Sequence, residues 1–138
     1  ADLFAPDALL GLFAKLAPGA LAYMPITFSG KTRFEAPFVG RANVPSDALV
    51  TSAYHAHLGQ QGQHFDTKAL LDAAARAGGR CIACGPSAWR IGAGCAFRPF
   101  MIDFLAAGAA PALWRAGWEA ASWRAHALER QDELEGTR

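Results

Sequence analysis

The chain lacks three features that would assign it to a class at once: a long apolar run, a charge excess and an even cysteine count. The longest uncharged apolar run, residues 104–114, has eleven residues, against about 20 for a membrane-spanning helix. Thirteen Lys and Arg against twelve Asp and Glu exclude binding to nucleic acid or membrane by bulk charge alone. Three cysteines exclude a complete internal disulfide framework, so we expect a cytoplasmic protein. Because the apolar run is short, we also expect that the chain does not enter membranes.

The apolar content is high for a domain of this size. The 138 residues are 52% hydrophobic, 18% are charged, and the mean hydropathy is +0.11. This length fits one domain over residues 1–138, and a small domain has proportionally more surface than core. We therefore expect part of the apolar surface to face a protein partner or a second copy.

Hydrophobic spacing and turn residues predict an α+β domain. Helices are expected at residues 8–17, at 66–77 where Asp66 caps and Gly78 terminates the helix, and after Pro99. Strands are expected at residues 21–28, 31–39, 49–58, 80–84 and 92–97, because apolar and polar residues alternate or turns flank them. The sequence thus predicts a small, mainly antiparallel sheet of four or five strands covered by helices.

The last predicted helix is long, opening at Pro111 and extending to about residue 134. Its core stripe follows helical spacing and comprises Trp114, Trp118, Ala121, Ala125 and Leu128. Trp123 lies on the opposite side of such a helix. Either Trp123 packs on the domain's own N-terminal segment, or it anchors a subunit contact, in which case Trp123 and Trp118 are candidate partner-binding residues.

Cysteine spacing suggests a metal site. Cys81-Ile82-Ala83-Cys84-Gly85 has the spacing of a zinc knuckle, in which a glycine turns backbone amides toward thiolate sulfurs. Cys95 provides a possible third ligand, and His57 or His64 a fourth. The alternative is that the cysteines are reduced and pack as small hydrophobic residues. A zinc ion is therefore a conditional expectation.

The same segment allows an enzymatic alternative. Cys84 would be the nucleophile of a small cysteine-dependent hydrolase if a helix began near Pro86. His55 and His57 share one face of the predicted strand, and either could be the base. Cys84-Gly85-Pro86 resembles the nucleophile region of papain-like peptidases over these residues alone. Two histidines on one strand face could also reach one metal ion, or simply belong to a polar surface.

A basic stretch raises the possibility of nucleic-acid binding. Residues 73–102 contain four arginines and no acidic residue, and aromatic residues are interspersed among them. The arginines are Arg76, Arg80, Arg90 and Arg98, and the aromatic residues are Trp89, Phe97 and Phe100. Arginines can hold phosphates while aromatic rings stack on bases. The alternative is a set of exposed arginines paired with acids elsewhere in the chain.

Together these patterns favour a non-catalytic subunit or binding module of a larger protein or nucleoprotein assembly. The expected contacts are the Trp123 side of the last helix, including Trp118, and the arginines Arg80, Arg90 and Arg98. The competing hypothesis is the hydrolase with Cys84 as nucleophile.

Overall fold

The computed structural model describes residues 5–25, 31–60, 67–86, 88–92, 94–130 and 134–137. These residues form five helices and three strands. The helices are α1 (Pro6–Phe13), α2 (Asp47–Gln60), α3 (Thr67–Arg76), α4 (Arg98–Arg115) and α5 (Ala120–Glu129). The strands are β1 (Lys31–Phe34), β2 (Trp89–Ile91) and β3 (Leu134–Thr137). None of the described helices combines the length and apolarity that crossing a bilayer requires.

The prediction of a four- or five-stranded sheet is wrong. The described residues are mainly helical, and their only sheet has three short antiparallel strands in the order β1-β3-β2. Lys31 lies opposite Thr137, and Trp89 lies opposite Gly136. Residues 21–25 and 80–84, and the described part of 92–97, form no strand, and residues 26–30 lie outside the described residues.

The segment predicted as a strand at residues 49–58 is helix α2. The Ser46 hydroxyl accepts a hydrogen bond from the Leu49 amide (3.2 Å), as a residue that caps a helix N-terminus does. The residues that α2 buries follow helical spacing and are Asp47, Val50, Ala53, Tyr54 and Leu58. His55 and His57 therefore do not share a face, because residues two apart on a helix lie about 200° apart.

Two other helices are close to their predicted positions. α3 occupies most of the predicted span 66–77, and Gly78 ends it with φ of 78°, a conformation that glycine adopts easily. The Gly79 amide bonds back to the Ala74 carbonyl at 2.8 Å. Asp66, the predicted cap, lies outside the described residues. α1 begins and ends earlier than the predicted span 8–17.

The prediction of a single C-terminal helix that begins at Pro111 is wrong. Helix α4 continues through Pro111 to Arg115, and a break in the helical backbone at residues 116–119 separates it from α5. Pro111 and Ala107, whose carbonyl loses its amide donor to the proline, are both exposed, so water can satisfy that carbonyl. Gly117, with φ of 80°, lies in the break. Trp114 lies on the outward side of α4 and is 73% exposed, whereas Trp123 of α5 is fully buried.

The core forms where α4 packs between α2 and α5. The inner face of α4 contributes Ile102, Leu105, Ala109 and Leu113, all nearly or completely buried. Gly108 permits the close approach of α2, because a Cβ there would lie 2.6 Å from Tyr54 Cδ2. α4 is therefore held along one face, and its opposite face points away from the core.

Candidate protein-binding surface

The outward face of α4 carries an apolar row that we call the outer stripe. Its members are separated by three, four, three, four and three residues: Phe97, Phe100, Phe104, Ala107, Pro111 and Trp114. Phe97 is the residue immediately before the helix, and all six are exposed. At 100° per residue, this row lies opposite the buried face that includes Ile102 and Ala109. Helix α4 is thus apolar on both faces and covered on one.

Ring contacts order the N-terminal half of the outer stripe. Trp89 on β2 contacts Phe97 edge-on, with ring centroids 6.4 Å apart. Phe97 and Phe100 lie 4.8 Å apart, and Phe100 stacks on Phe104 at 6.0 Å. These four rings each remain 44–55% exposed despite the contacts. They form a continuous aromatic ridge that other described residues leave half open.

Contacts on both flanks fix α4 in place. On one flank Phe104 contacts the Tyr54 ring of α2 edge-on at 5.8 Å. On the other, Arg124 of α5 donates two hydrogen bonds to Asp103, at 2.7 and 3.2 Å. The hydrogen bond to Asp103 and its charge raise the pKa of Arg124. The outer stripe is therefore presented by a helix whose position and rotation are set by its neighbours.

Arg98 is not available to a partner, contrary to the expectation from sequence. Its side chain is buried and donates to the carbonyls of Ala127 (2.7 Å), Leu128 (3.4 Å) and Arg130. These carbonyls lie at the C-terminal end of α5, where helix carbonyls lack intrahelical donors and a cation is favoured. Arg98 thus joins the start of α4 to the end of α5.

The other arginines of the basic stretch remain at the surface. Arg90 forms an ion pair with Glu35 at 3.0 Å, and both side chains are largely exposed. Arg76 and Arg80 are exposed. The structure therefore removes one of the four positive charges that sequence reasoning offered to phosphates and pairs a second with an acid.

Trp123 is enclosed within its own fold, so its assignment to a partner surface is wrong. Its indole Nε1 donates to Asp47 Oδ1 at 2.8 Å. Arg130 donates to both oxygens of the same carboxylate, at 2.7 and 2.9 Å, and the Phe38 amide donates to Oδ2 at 2.8 Å. We call this group the Asp47 cluster. Trp118 also packs against the core.

The cysteines do not form a metal site with the other described residues. Cys81, Cys84 and Cys95 are free and exposed rather than packed as small core residues. No three His, Cys, Asp or Glu side chains among the described residues lie together as metal ligands. His57 is on α2 near Gly108, and His64 lies outside the described residues. Zinc binding stays a prediction without structural support.

The local structure around Cys84 also differs from that expected of a cysteine nucleophile. The described residues after Cys84 lead into β2 rather than into a helix, so no helix N-terminus stabilises a thiolate there. His55, one proposed base, lies on α2 beside the Tyr54 ring at 6.0 Å, and burial lowers its pKa. The hydrolase prediction gains nothing from this arrangement.

Sequence reasoning missed the outer stripe because it divided α4 at Pro111. The division assigned Phe100 and Phe104 to one short helix and Trp114 to the core of another. A helix continued through Pro111 would have revealed the alternating three- and four-residue spacing. No family model, curated protein or solved structure matches this chain.

Proposed function

We propose that this chain is a non-catalytic protein-binding module that receives a partner helix along the outer stripe of α4. The observation that carries the proposal is the alternating spacing of six exposed apolar residues on an ordered helix. This is the spacing of the seam between two packed helices, where side chains of one helix insert between those of the other. A surface helix that faced only water would carry polar residues at these positions.

The amount of exposed aromatic surface supports a binding role. The four rings of the outer stripe and Trp89 are between 44% and 73% exposed. At about 150–250 Å² per ring, they offer roughly 400–650 Å² of apolar surface. The largest apolar patch on a typical monomer is about 300–600 Å², and patches of this size are often functional.

Charge favours a protein helix over nucleic acid as the occupant. The stripe itself contains no charged residue, and Asp103 beside it is held by Arg124. Arg98 is buried, and Arg90 is paired with Glu35. Nucleic-acid surfaces combine stacking rings with cations that neutralise phosphates. Exposed, unpaired thiols are in keeping with a module that works in the reducing cytoplasm.

The proposal is tested by titrating the ¹⁵N-labelled chain with a designed amphipathic helical peptide whose leucines follow the same three-four spacing. We expect amide shifts that map to the outer stripe and its neighbours. Phe100→Glu should weaken peptide binding at least tenfold, because a carboxylate would be desolvated in the seam. The matched control Ala75→Glu places the same charge on an exposed position of α3 and should not change binding.

Two outcomes would contradict this function. Shifts confined to other surfaces would show that the outer stripe is not the docking site. If a single-stranded oligonucleotide shifted the same α4 resonances and the peptide shifted none, the ligand of the outer stripe would be nucleic acid rather than a protein helix. A melting temperature of Phe100→Glu close to the parent establishes that the variant is folded.

A further inference from the structure

We propose that the partner helix is α4 of a second copy of this chain, packed antiparallel across a two-fold axis near residues 104–107. This inference rests on the proposed function, since it names the occupant of the same surface. Two observations carry it: the order of large and small residues along the outer stripe, and the apolar area that two copies would bury.

In an antiparallel pair, each large ring of the stripe's first half meets a residue of its second half. Phe104 would lie opposite Ala107 of the second copy, and Phe100 opposite Pro111. Phe97 would lie opposite Trp114, closing the seam at both ends. In such a seam heptad a positions of one helix face d positions of the other, as in antiparallel coiled coils. Phe104 and Phe100 then fill the space left by the smaller Ala107 and Pro111, and the end layers pair two large rings.

A parallel pair would place identical residues opposite each other. Three phenylalanine layers would then crowd one half of the seam, while the Ala107 layer and the Pro111 layer would leave the other half underfilled. Both crowding and cavities destabilise packing. The residue order therefore favours the antiparallel arrangement, which also makes the interface self-complementary about a two-fold axis.

The exposed ring area of two copies reaches the lower end of what a stable dimer interface buries. The exposed rings of two copies offer roughly 800–1,300 Å² together, before the backbone and smaller side chains are counted. Stable specific interfaces bury about 1,200–2,000 Å² in total. Among the positions that flank the stripe within α4, the charged residues are Asp103 and Arg115, and Asp103 is already paired with Arg124. Within α4, therefore, no row of like charges opposes the approach of a second copy.

The first experiment measures self-association of the full chain by sedimentation velocity over about 1–300 µM, the range of a modest interface. We expect a monomer–dimer equilibrium whose association constant falls at least tenfold in Phe100→Glu. Ala75→Glu, with the same charge on α3, should retain the parent's association constant. A chain that stays monomeric throughout this range overturns the inference.

The second experiment tests the register with the double variant Phe100→Glu and Pro111→Lys. Antiparallel pairing places the introduced carboxylate of each copy opposite the introduced ammonium group of the other, twice per dimer. Within one helix these positions are about 16 Å apart, too far to form an ion pair. We expect the double variant to associate at least fivefold more strongly than Phe100→Glu at low salt, with the gain lost at high salt. Absence of this rescue overturns the antiparallel arrangement.

These outcomes separate the inference from the proposed function. A monomeric chain that still binds the designed peptide through the outer stripe retains the proposed function and loses the second copy. A chain that neither associates nor binds the peptide loses both. A dimer that is unaffected by Phe100→Glu uses another surface and overturns the inference.

Discussion

The two faces of α4 have similar apolar character and opposite surroundings. The inner face packs Leu105 and Leu113 between α2 and α5. Beyond it, in the Asp47 cluster, both oxygens of a buried carboxylate accept hydrogen bonds. The outer face leaves Phe100 and Trp114 in water among the described residues. Apolar character alone thus does not identify the core. What distinguishes the faces is whether side chains of the described segments cover them.

The largest effect is expected from Asp47→Ala, which removes the acceptor at the centre of the buried Asp47 cluster. Removal of the carboxylate leaves Arg130, the Trp123 indole and the Phe38 amide without their acceptor, which we expect to cost about 3–5 kcal/mol of unfolding free energy. Urea denaturation followed by circular dichroism measures the loss. The control Asp72→Ala breaks the exposed pair with Lys68 and should cost no more than about 0.5 kcal/mol. Equal costs would mean that the Asp47 cluster does not stabilise the fold.

Adjacent residues on α4 provide the next test. Leu113 is buried and Trp114 is exposed. Leu113→Ala should lower the unfolding free energy by about 2–5 kcal/mol because it leaves a cavity. Trp114→Ala should change it by less than about 0.5 kcal/mol in the monomer, measured at a concentration below any self-association. A large loss from Trp114→Ala would show that the outer stripe is needed for folding rather than for binding.

The flank between α2 and α4 is tested with two glycines. Gly108→Ala should destabilise the chain by about 1–3 kcal/mol, since the new methyl group would meet the Tyr54 ring and force the helices apart. Gly59→Ala, in α2, has open space around the added methyl group and should stabilise by about 0.4–1 kcal/mol. Thermal melts of the two variants should therefore move in opposite directions. The same direction for both would contradict the close packing at Gly108.

The smallest effect is expected from pH. Burial lowers the pKa of His55 below its ordinary value of 6.5, so the unfolded chain takes up a proton at higher pH than the folded one. The contribution of His55 is fully present above pH 6.5 and is lost as pH falls through the lowered pKa. In His55→Gln the decline in stability between pH 7.5 and 5 should be shallower than in the parent. Urea midpoints across this range measure both slopes. Identical slopes would show that His55 does not contribute to the pH dependence of stability.

Local signals predicted part of this fold well. α3 and its termination at Gly78 follow from a helical run ended by two glycines, and Pro99 was correctly placed in the first turn of a helix. Both depend on backbone preferences of a few neighbouring residues, which sequence records directly. No such local signal marks β3, which pairs with β1 about one hundred positions away along the chain.

The larger errors arose where one spacing fits two structures. Val50, Tyr54 and Leu58 are four residues apart, a spacing that suits both an alternating strand and a helix. The deciding evidence, the Ser46 cap and the burial of Ala53, is weak in the sequence and clear in the structure. The binding surface was missed for a related reason, because spacing places Trp114 and Trp123 on opposite faces but does not tell which of the two faces packs on the core.

Two of the four tryptophans lie in opposite surroundings and can serve as natural optical reporters. Trp114 stands in water on the outer face, whereas the Trp123 indole is sealed beside a carboxylate. Emission from the first should be red-shifted and quenched by acrylamide, and emission from the second should be shielded until the chain unfolds. With Trp89 and Trp118, which also emit, replaced by phenylalanine, contact at the outer face and opening of the interior can be followed separately by fluorescence, without attaching a dye.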